Sequence, residues 1–369
     1  MPGCPWRLQE GYSGSYSSWP FPRGGLALTT SLPTERPTAS ARGDGPLLSV
    51  VITTYASERL NDVRQALDSL QGQTYPNLEI IFVGEKSREL CDHVISYARE
   101  RQITNLRAVF NDGQPGLSEA RNLGIEQARG DIVAFLDDDA TAFPDWADEI
   151  ANSLASDDGP IAVTGPAFPA WEEKSMSWFP EELYWIISCT AFAGWSAKRA
   201  VRSTWGMNMA FRNEAFQAAG GFSPNIGGIQ GRRLHGEEVE FSLRLRSRTG
   251  KAIIYSPKVR VMHKVYRHRL SLPWIIKTSY WTGYTRKLLR SVSQQYGIVE
   301  DFLALERGLL RRIVLKLLPA TLARSWVEPA SAWRTLRITL LALLFICLGY
   351  AHCLLLGAMR GLTGSYEGS

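Results

Sequence analysis

Three consecutive carboxylates, Asp137, Asp138 and Asp139, follow directly after the apolar run Ile132–Leu136. Adjacent like charges repel each other, so a structural role alone explains this cluster poorly and a positively charged partner is expected there. Magnesium and manganese ions prefer oxygen ligands and take few of them from the protein when phosphate oxygens supply the rest. The cluster therefore predicts a site for Mg²⁺ or Mn²⁺ bound together with a diphosphate.

Other motifs for metal or phosphate binding are missing from the sequence. It has no EF-hand spacing, no HExxH motif and no glycine-rich P-loop. Without a backbone cradle for phosphate, a bound diphosphate would be held by the metal ion and by arginine side chains.

Two further carboxylates, Glu237 and Glu238, follow Gly236 at the start of a predicted helix on which Phe241 and Leu245 form an apolar pair. The helix dipole favours carboxylates in the first turn of a helix, which is the structural explanation. The functional explanation is that one of them removes the proton from an attacking hydroxyl group, because a neutral hydroxyl is a poor nucleophile. The residues alone leave both explanations open.

His263 lies in a predicted strand, Lys258–Val265, and shares one face of it with Val259, Val261 and Val265. This pattern is typical of a buried histidine with a hydrogen-bond partner. A histidine at such a position can also bind a metal ion, so both interpretations stay open.

Apolar strands and amphipathic helices alternate from residue 47 to residue 136. Four near-continuous apolar runs predict buried strands, at Leu47–Thr53, Leu78–Val83, Leu106–Phe110 and Ile132–Leu136. The segments between them predict three helices, at Leu60–Leu70, Glu89–Glu100 and Leu117–Ala128. This alternation is typical of an α/β domain with a mostly parallel sheet covered on both faces.

In such a sheet, ligands bind beyond the carboxyl ends of the strands. The acidic cluster follows the fourth predicted strand, Thr53 and Tyr55 follow the first, and Glu85 follows the second. We therefore expect these side chains to lie near one another.

The composition is that of a folded protein, with 45% apolar residues among 369 and a net charge of +5. Five scattered cysteines without a CxxC motif predict neither a disulfide framework nor a zinc site. Residues 1–45 are rich in Gly, Ser, Pro and Arg and have no periodicity, so they are predicted to be disordered or to precede the true start, with no secretory signal.

An apolar run of twenty residues, 338–357, has His352 as its only possible charge. A helix of that length is about 30 Å long and matches the bilayer core. It predicts a single transmembrane helix over residues 336–358, followed by a short tail, 359–369. The alternative is a buried helix at the end of a soluble domain.

Basic residues are concentrated before the apolar run, at Arg307, Arg311, Arg312, Lys316, Arg324, Arg334 and Arg337. By the positive-inside rule this distribution places the preceding part of the chain in the cytoplasm. Residues 266–335 mix apolar, aromatic and basic side chains and are predicted to be amphipathic helices in contact with the membrane. The alternative is a set of helices packed on the rest of the protein with solvated basic faces. Nucleic acid is not an expected partner, because no nucleic-acid-binding module is present.

Several longer motifs resemble glycosyltransferase family 2, whose members have the GT-A fold. The segment "SVVITTY" is similar to the family's first strand, and "EARNLGIEQARGDIVAFLDDDA" to its central signature, which ends in the DXD motif. The segments "WGMNMAFRNEAFQAAGGF" and "GEEVEFSLRLRSRTG" are similar to its acceptor-side signature. The resemblance implies a Rossmann-like nucleotide-diphospho-sugar transferase domain over residues 46–265. More narrowly, "WFPEELYW", the "GEE" variant and the apolar C-terminal run resemble the membrane-anchored glucosyl-dolichyl phosphate glucuronosyltransferase type.

The resemblance also implies roles for particular residues on the donor side. Thr53 and Tyr55 would line the pocket for the nucleotide base, and Arg121 would face the donor. Among the acidic residues, Asp137 and Asp138 would hold the ribose side, and Asp139 would bind the metal ion.

Further metal ligands and a departure from the family motif follow from the same positions. Asp137 and His263 are additional candidate ligands of the metal ion. Where many relatives have "DDGS", this chain has "GEKS", which places Glu85 at a position where an aspartate usually contacts the base. A UDP-sugar is the expected donor, although this departure leaves the nucleotide open.

On the acceptor side, the resemblance favours Glu238 as the general base and Glu237 as the residue that orients the substrate. A single displacement assisted by that base would invert the anomeric carbon. A lipid phosphate is already anionic near neutral pH and needs no base, so a base at Glu238 argues for a sugar hydroxyl as the acceptor.

The expected function is therefore an inverting, metal-dependent hexosyl or hexuronosyl transfer. The sugar would move from a nucleotide-sugar to a lipid-linked sugar or glycan at the cytoplasmic face of the cell membrane. One alternative is a synthase that makes polyprenyl-phosphate sugars directly. Others are a sugar nucleotidyltransferase, although "TTYASERL" lacks the glycine-rich loop expected of one, and an inactive membrane scaffold.

Overall fold

The structure is a computed structural model, in which side chains are described up to residue 356 and the backbone over residues 45–156, 158–191, 195–224, 236–298 and 303–363. The disorder predicted for residues 1–45 concerns a segment that lies, except for Gly45, outside the described residues. The same is true of residues 364–369 of the predicted tail.

The first half of the domain has the elements that the sequence predicts, with small differences at their ends. In chain order they are β1 (Leu48–Thr54), α1 (Leu60–Gln71), β2 (Leu78–Glu85), α2 (Arg88–Glu100), β3 (Leu106–Asn111), α3 (Leu117–Gln127) and β4 (Ile132–Leu136). The strands are apolar and the helices have apolar residues at helical spacing, so local pattern and tertiary structure agree here.

The rest of the domain consists of shorter elements: β5 (Ala140–Ala142), α4 (Trp146–Leu154), β6 (Ala162–Thr164), β7 (Ala167–Trp171), β8 (Arg199–Val201), β9 (Asn208–Arg212), α5 (Glu214–Ala219), α6 (Glu237–Thr249), β10 (Ile253–Tyr255) and β11 (Val261–Val265). Four helices follow: α7 (Leu272–Gln295), α8 (Ala304–Arg312), α9 (Leu318–Arg324) and α10 (Pro329–Thr363). A π-helical segment, Ile313–Leu317, joins α8 to α9.

Among the described residues, the main sheet has eight strands in the order β3-β2-β1-β4-β9-β6-β10-β8. Strand β1 is parallel to both β2 and β4, and β2 is parallel to β3, whereas β9 is antiparallel to β4 and β6. The chain order reverses between β1 and β4. In open α/β sheets a crevice for ligands opens at such a point, beyond the carboxyl ends of the strands.

Each face of the main sheet is covered by its own apolar cluster. Successive residues of β1 point to opposite faces, so Val51 belongs to one cluster while Val50 and Ile52 belong to the other. Helices α3, α5 and α6 cover the first face, and α1, α2 and α4 cover the second. Burial on both faces explains why these strands are continuously apolar in sequence.

Strand β11 is shorter than the predicted Lys258–Val265 and belongs to a separate three-stranded sheet, in the order β5-β11-β7. Within it, Val261, His263 and Val265 do share the buried face, as predicted. Val259 is buried but precedes the strand, because its carbonyl oxygen accepts a hydrogen bond from Asn208 Nδ2 at 2.7 Å rather than from a neighbouring strand.

Helices α7 and α10 approach each other so closely that their backbones touch at glycines. A Cβ atom on Gly283 would lie 1.9 Å from the carbonyl oxygen of Ile346, and one on Gly349 would lie 1.9 Å from that of Tyr280. Any other residue at either position would force the two helices apart. The two glycines therefore fix α10 against α7.

The segment Pro329–Leu356 of α10 is long and apolar enough to cross a membrane, with a mean hydropathy of 2.3 over its most apolar 18 residues. Only 28% of that window is buried inside the protein. Burial this low argues against the alternative of a core helix in a soluble domain, because such a helix is mostly enclosed.

Gly283→Ala is expected to destabilise the protein, because the added methyl group would collide with backbone of α10 that cannot rotate aside. Overpacking of this kind costs about 1–3 kcal/mol of the free energy of unfolding. Gly308→Ala in α8 is the matched control, because a Cβ atom there has no neighbour within 4 Å. Unfolding midpoints of the purified chain in detergent measure the difference. Equal midpoints for the two variants would mean that α7 and α10 do not pack this closely.

Candidate active site

One cavity of about 610 Å³ contains every residue that the sequence singles out as a candidate: Thr53, Tyr55, Glu85, Arg121, Asp137, Asp138, Asp139, Glu237, Glu238 and His263. It lies beyond the carboxyl ends of β1, β2 and β4. The structure thus brings these residues together, while the role of each one stays a prediction.

The sheet topology explains how distant parts of the chain meet in this cavity. Strands β1 and β4 are neighbours, so the residues that follow them lie side by side. Helix α6 begins at the same cavity, after Gly236, whose φ is +135°. Residues other than glycine rarely adopt such a φ, so this position before the two glutamates requires a glycine.

Arg59 and Arg269 compensate the charge of Asp138 and Asp139 in the acidic cluster. Arg59, in a short 3₁₀ turn after β1, places Nη1 at 3.1 Å from Asp138 Oδ1 and at 2.6 Å from Asp139 Oδ2. Arg269, after β11, donates a hydrogen bond from Nη2 to Asp139 Oδ2 at 2.8 Å. The positive charge expected beside the cluster thus comes in part from guanidinium groups.

These contacts shift the pKa values of the adjacent residues Asp138 and Asp139 in opposite directions. Burial alone would raise the pKa of Asp139, but His263, Arg269 and Arg59 hold that pKa well below its usual range. For Asp138, burial and then the charge of Asp139 raise the pKa to about 7, against the attraction of Arg59. Asp139 therefore remains ionised at neutral pH, whereas Asp138 exchanges a proton there, which relieves the repulsion between the two.

The position of Arg269 also determines the state of His263. Its Nη1 lies 3.4 Å from His263 Nδ1, and because a guanidinium group can only donate, Nδ1 is the acceptor. In the neutral ring Nε2 then carries the proton, and it lies 3.1 Å from Asp139 Oδ1. In this arrangement His263 holds Asp139 in place by donating a hydrogen bond to it.

Asp137, Asp139 and His263 offer three ligand atoms within 4.8 Å of one another, a group that could hold a metal ion. The two carboxylates suit Mg²⁺ or Mn²⁺ as they stand, since both ions take carboxylate oxygens. The ring nitrogen of His263 that faces these carboxylates is Nε2, and it can bind a metal ion only through a free lone pair. The proton on Nε2 would first have to move to Nδ1, and Arg269 would have to move away from Nδ1 to make room for it.

The neighbouring glutamates at the start of α6 have different surroundings. Glu237 is buried and pairs with Arg121, whose Nη1 lies 2.8 Å from Glu237 Oε1 and whose Nη2 lies 3.4 Å from Asp137 Oδ1. Glu238 is half-buried at the cavity wall and forms no ion pair within the described part of the chain. Burial, and then the charge of Glu237, raise the pKa of Glu238 to about 8. Glu237 is thus fixed by a cation, while Glu238 can exchange a proton close to neutral pH.

The end of the cavity at β1 and β2 has features suited to a nucleotide base. Tyr55 is 53% exposed, and Lys86 Nζ lies 4.7 Å from the centre of its ring. Glu85 Oε1 accepts hydrogen bonds from Asn111 Nδ2 at 2.9 Å and from the backbone N–H of Gly116 at 2.8 Å. The longer carboxylate is therefore held in a defined position by the loop after β3.

Sequence reasoning missed three parts of the site. Arg59 had a usable signal, since it follows β1 at the edge of the sheet where the ligand is expected. Arg269 had none, because its contact with Asp139 spans 130 residues. The third part is the wall that α7 contributes, with Thr278 and Thr282 lining the cavity, because the sequence predicted membrane contact, or packing on the domain, for this helix but no residue of the site.

Comparison with known proteins shows which family and fold the chain resembles. Residues 49–220 match the profile of glycosyl transferase family 2. The chain is 32% identical over 242 residues to the glucosyl-dolichyl phosphate glucuronosyltransferase of Haloferax volcanii, covering 66% of this chain and 77% of that protein. It is 23% identical over 239 residues to the succinoglycan biosynthesis protein ExoM of Rhizobium meliloti, covering 64% and 73% respectively.

Among solved structures, the chain resembles a mannosyltransferase from Pyrobaculum calidifontis in complex with GDP-Man and Mn²⁺. The TM-score is 0.53 at 17% sequence identity, and the match covers 87% of this chain and 90% of that one. At this identity the likeness concerns the fold.

Arg121→Met is expected to lower the free energy of unfolding by about 3–5 kcal/mol, because it leaves the buried carboxylate of Glu237 without its cation. The double variant Arg121→Met/Glu237→Gln should recover part of this loss, since the amide carries no charge. Chemical denaturation of the three proteins gives the comparison. A single variant as stable as the wild type would show that the ion pair is not the contact that positions Glu237.

Proposed function

The chain belongs to glycosyltransferase family 2 and has the GT-A fold, and from this membership we propose that it is an inverting, metal-dependent glycosyltransferase. It would move a hexosyl or hexuronosyl group from a nucleotide-sugar to a hydroxyl of a lipid-linked sugar or glycan. The observation that carries the proposal is the shared cavity, with an acidic cluster at the strand ends and Glu238, whose pKa is raised to about 8, in its wall.

On the donor side, Asp137 and Asp139 would hold Mg²⁺ or Mn²⁺. When bound, the ion would neutralise the charge that develops on the departing diphosphate. Arg59 and Arg269, which now neutralise the carboxylates, are long enough to turn towards the diphosphate once the donor is bound. Tyr55 would stack on the base, and Glu85 would accept a hydrogen bond from it.

On the acceptor side, Glu238 would take the proton of the attacking hydroxyl group. A general base works best when its pKa lies near the operating pH, and a pKa of about 8 meets this condition. Glu237, fixed by Arg121, would orient the substrate. A single attack by the hydroxyl on the face opposite the diphosphate inverts the anomeric carbon.

The substrate class is proposed from the relative that the chain resembles over most of its length, whose name describes glucuronosyl transfer to a glucosyl-dolichyl phosphate. A UDP-sugar donor and a lipid-linked sugar acceptor are therefore the first substrates to test. A polyprenyl phosphate is the second acceptor to test, although Glu238 argues against it because a phosphate oxygen carries no proton to remove at neutral pH.

The membrane is the proposed location, with α10 as the segment that enters it. The exposed basic side chains of α8 and α9 favour an anionic surface, and by the positive-inside rule their position before α10 supports a catalytic domain on the cytoplasmic side. A lipid-linked acceptor is found at such a surface.

Asp139→Asn is expected to reduce sugar transfer about 100-fold or more, because the metal ion loses a carboxylate ligand. Mn²⁺ binding in the presence of UDP, followed by electron paramagnetic resonance, should fall in parallel. Asp92→Asn on the exposed face of α2 is the matched control and should leave both readouts unchanged. Wild-type transfer by Asp139→Asn over a full range of Mn²⁺ concentrations would contradict the metal role.

Glu238→Gln is expected to lower turnover by about 10²–10⁴-fold while donor affinity stays within about twofold of wild type. The base must be deprotonated to act, so wild-type turnover should rise with pH up to about 8 and then level off, and the variant should lose this rise. Initial rates between pH 6 and 10, with product configuration determined by NMR, provide the measurement.

Glu126→Gln, on the exposed face of α3, serves as the control for the change of a glutamate to glutamine. If the rise with pH persisted in Glu238→Gln, the titrating base would have to be another residue. A product that retains the donor's anomeric configuration would exclude the single displacement.

A further inference from the structure

The packing of α7 defines how α10 sits on the protein. Helix α7 is about 36 Å long for its 24 residues and is attached to the catalytic domain at both ends. Near its start, Trp274 Nε1 donates a hydrogen bond to the carbonyl oxygen of Ile186 at 3.0 Å. Near its end, Leu289 and Val292 pack against Val239 of α6. Helix α7 therefore lies flat along the domain.

Helix α10 follows α7 in the same direction. Ile275 near the start of α7 shares a buried cluster with Ile338 of α10. Further along, the backbone at Gly283 touches that at Ile346, and near the end Arg290 Nη1 donates to Tyr350 Oη at 3.3 Å. From the first of these contacts to the last the partner numbers rise on both helices, while between them Gly349 also touches Tyr280, so from about residue 338 to 350 α10 also lies flat along the domain.

The outer face of α10 carries leucines at helical spacing. Leu340, Leu344, Leu348 and Leu355 lie on one side of the helix, and each is 47–62% exposed. Trp333, on the same side at the start of the helix, is 61% exposed. Aromatic residues at the end of an apolar stripe are typical of helices at a membrane–water interface.

A flat helix of this kind cannot cross a bilayer while it stays docked. Crossing would bring α7 into the hydrocarbon with it, including the exposed Lys277 and Arg290 and the cavity wall at Thr278 and Thr282. Each centrally placed Lys or Arg costs about 2.5–3.5 kcal/mol in a membrane. Insertion of the leucine face alone, to a depth of about 5–10 Å, leaves Lys277 and Arg290 in water, and the exposed Arg337 at the start of that face can extend to the head groups.

We propose that α10 lies in the plane of the membrane, docked on α7, with its leucine face in one leaflet of an anionic bilayer. This differs from the single crossing that the sequence predicts. Charge complementarity supports an anionic lipid surface as the occupant of this face, because α8, α9 and the segment between them expose basic side chains, at Arg307, Arg311, Lys316 and Arg324. The inference rests on the proposed membrane location and is independent of the transfer reaction.

The arrangement also places the cavity close to the lipid. The inner face of α7 lines the cavity and its outer face carries α10, so one helix layer, about 10 Å, separates the two. The head group of a lipid-linked acceptor would need to rise by about that distance to reach Glu238.

The topology of the full chain in cell membranes tests the proposal. With an epitope tag after Ser369, protease added to intact inverted membrane vesicles should digest both the catalytic domain and the tag. A crossing helix would leave the tag protected until detergent is added, and that result would overturn the proposal. Protection of both would keep α10 in the plane and refute only the cytoplasmic location.

Vesicle flotation tests the leucine face directly. Leu344→Glu should reduce binding of the purified chain to vesicles with about 30% phosphatidylglycerol by about tenfold or more, with no change in donor hydrolysis. Ser96→Glu, which adds the same charge on the exposed face of α2, should bind as wild type does. If Leu344→Glu bound vesicles normally and instead converted a dimer to a monomer, the face would be a contact between two copies and the proposal would be wrong.

Discussion

The central physical constraint in this protein is the charge of adjacent, buried carboxylates at the end of β4. Asp138 and Asp139 are both almost fully buried, and two such anions side by side are costly unless cations approach them directly. Arg59 lies in the turn after β1, His263 lies in β11, and Arg269 lies in the turn after β11. The need for these partners joins the small three-stranded sheet to the edge of the main sheet, so the same ion pairs that neutralise the cluster also close the cavity.

This compensation has a consequence for the order of events at the site. On the proposed function, the arginines and a metal ion would compete for the same carboxylate oxygens of Asp139, so the ion could bind fully only as the arginines leave. A nucleotide diphosphate provides the arginines with new acceptors, at similar charge and in the bidentate geometry that guanidinium groups favour. Metal and donor are therefore expected to bind together rather than separately, which explains why a site with both arginines and carboxylates is stable before either arrives.

How far the sequence predicts this molecule depends on the range of the contacts. The strands β1 to β4 and their helices can be predicted from local apolar periodicity. Their alternation predicts a parallel sheet with its ligand site at the carboxyl ends of the strands. The grouping of Asp137 to Asp139 with Glu237 and Glu238 depended on family resemblance, because no local pattern brings residues 100 positions apart together. Arg269, the truncated β11 and the glycine contact between α7 and α10 could not be predicted, since each is set by a tertiary partner. In particular, β11 begins only at Val261, and the carbonyl oxygen of Val259 before it accepts its hydrogen bond from Asn208.

Helix α7 connects the chemistry of the cavity with the apolar exterior. Its inner face contributes Thr278 and Thr282 to the cavity, and its outer face meets α10 through Gly283. The end of the cavity at Tyr55, where the nucleotide is proposed to bind, lies beyond β1, whereas α7 forms the cavity wall near the start of α6. With the proposed substrates, donor and acceptor would therefore enter from different sides, a soluble nucleotide from the strand ends and a lipid-borne group past α7. A shift of α7 would alter both the cavity wall and the position of α10, because closely packed backbones transmit a displacement with little loss.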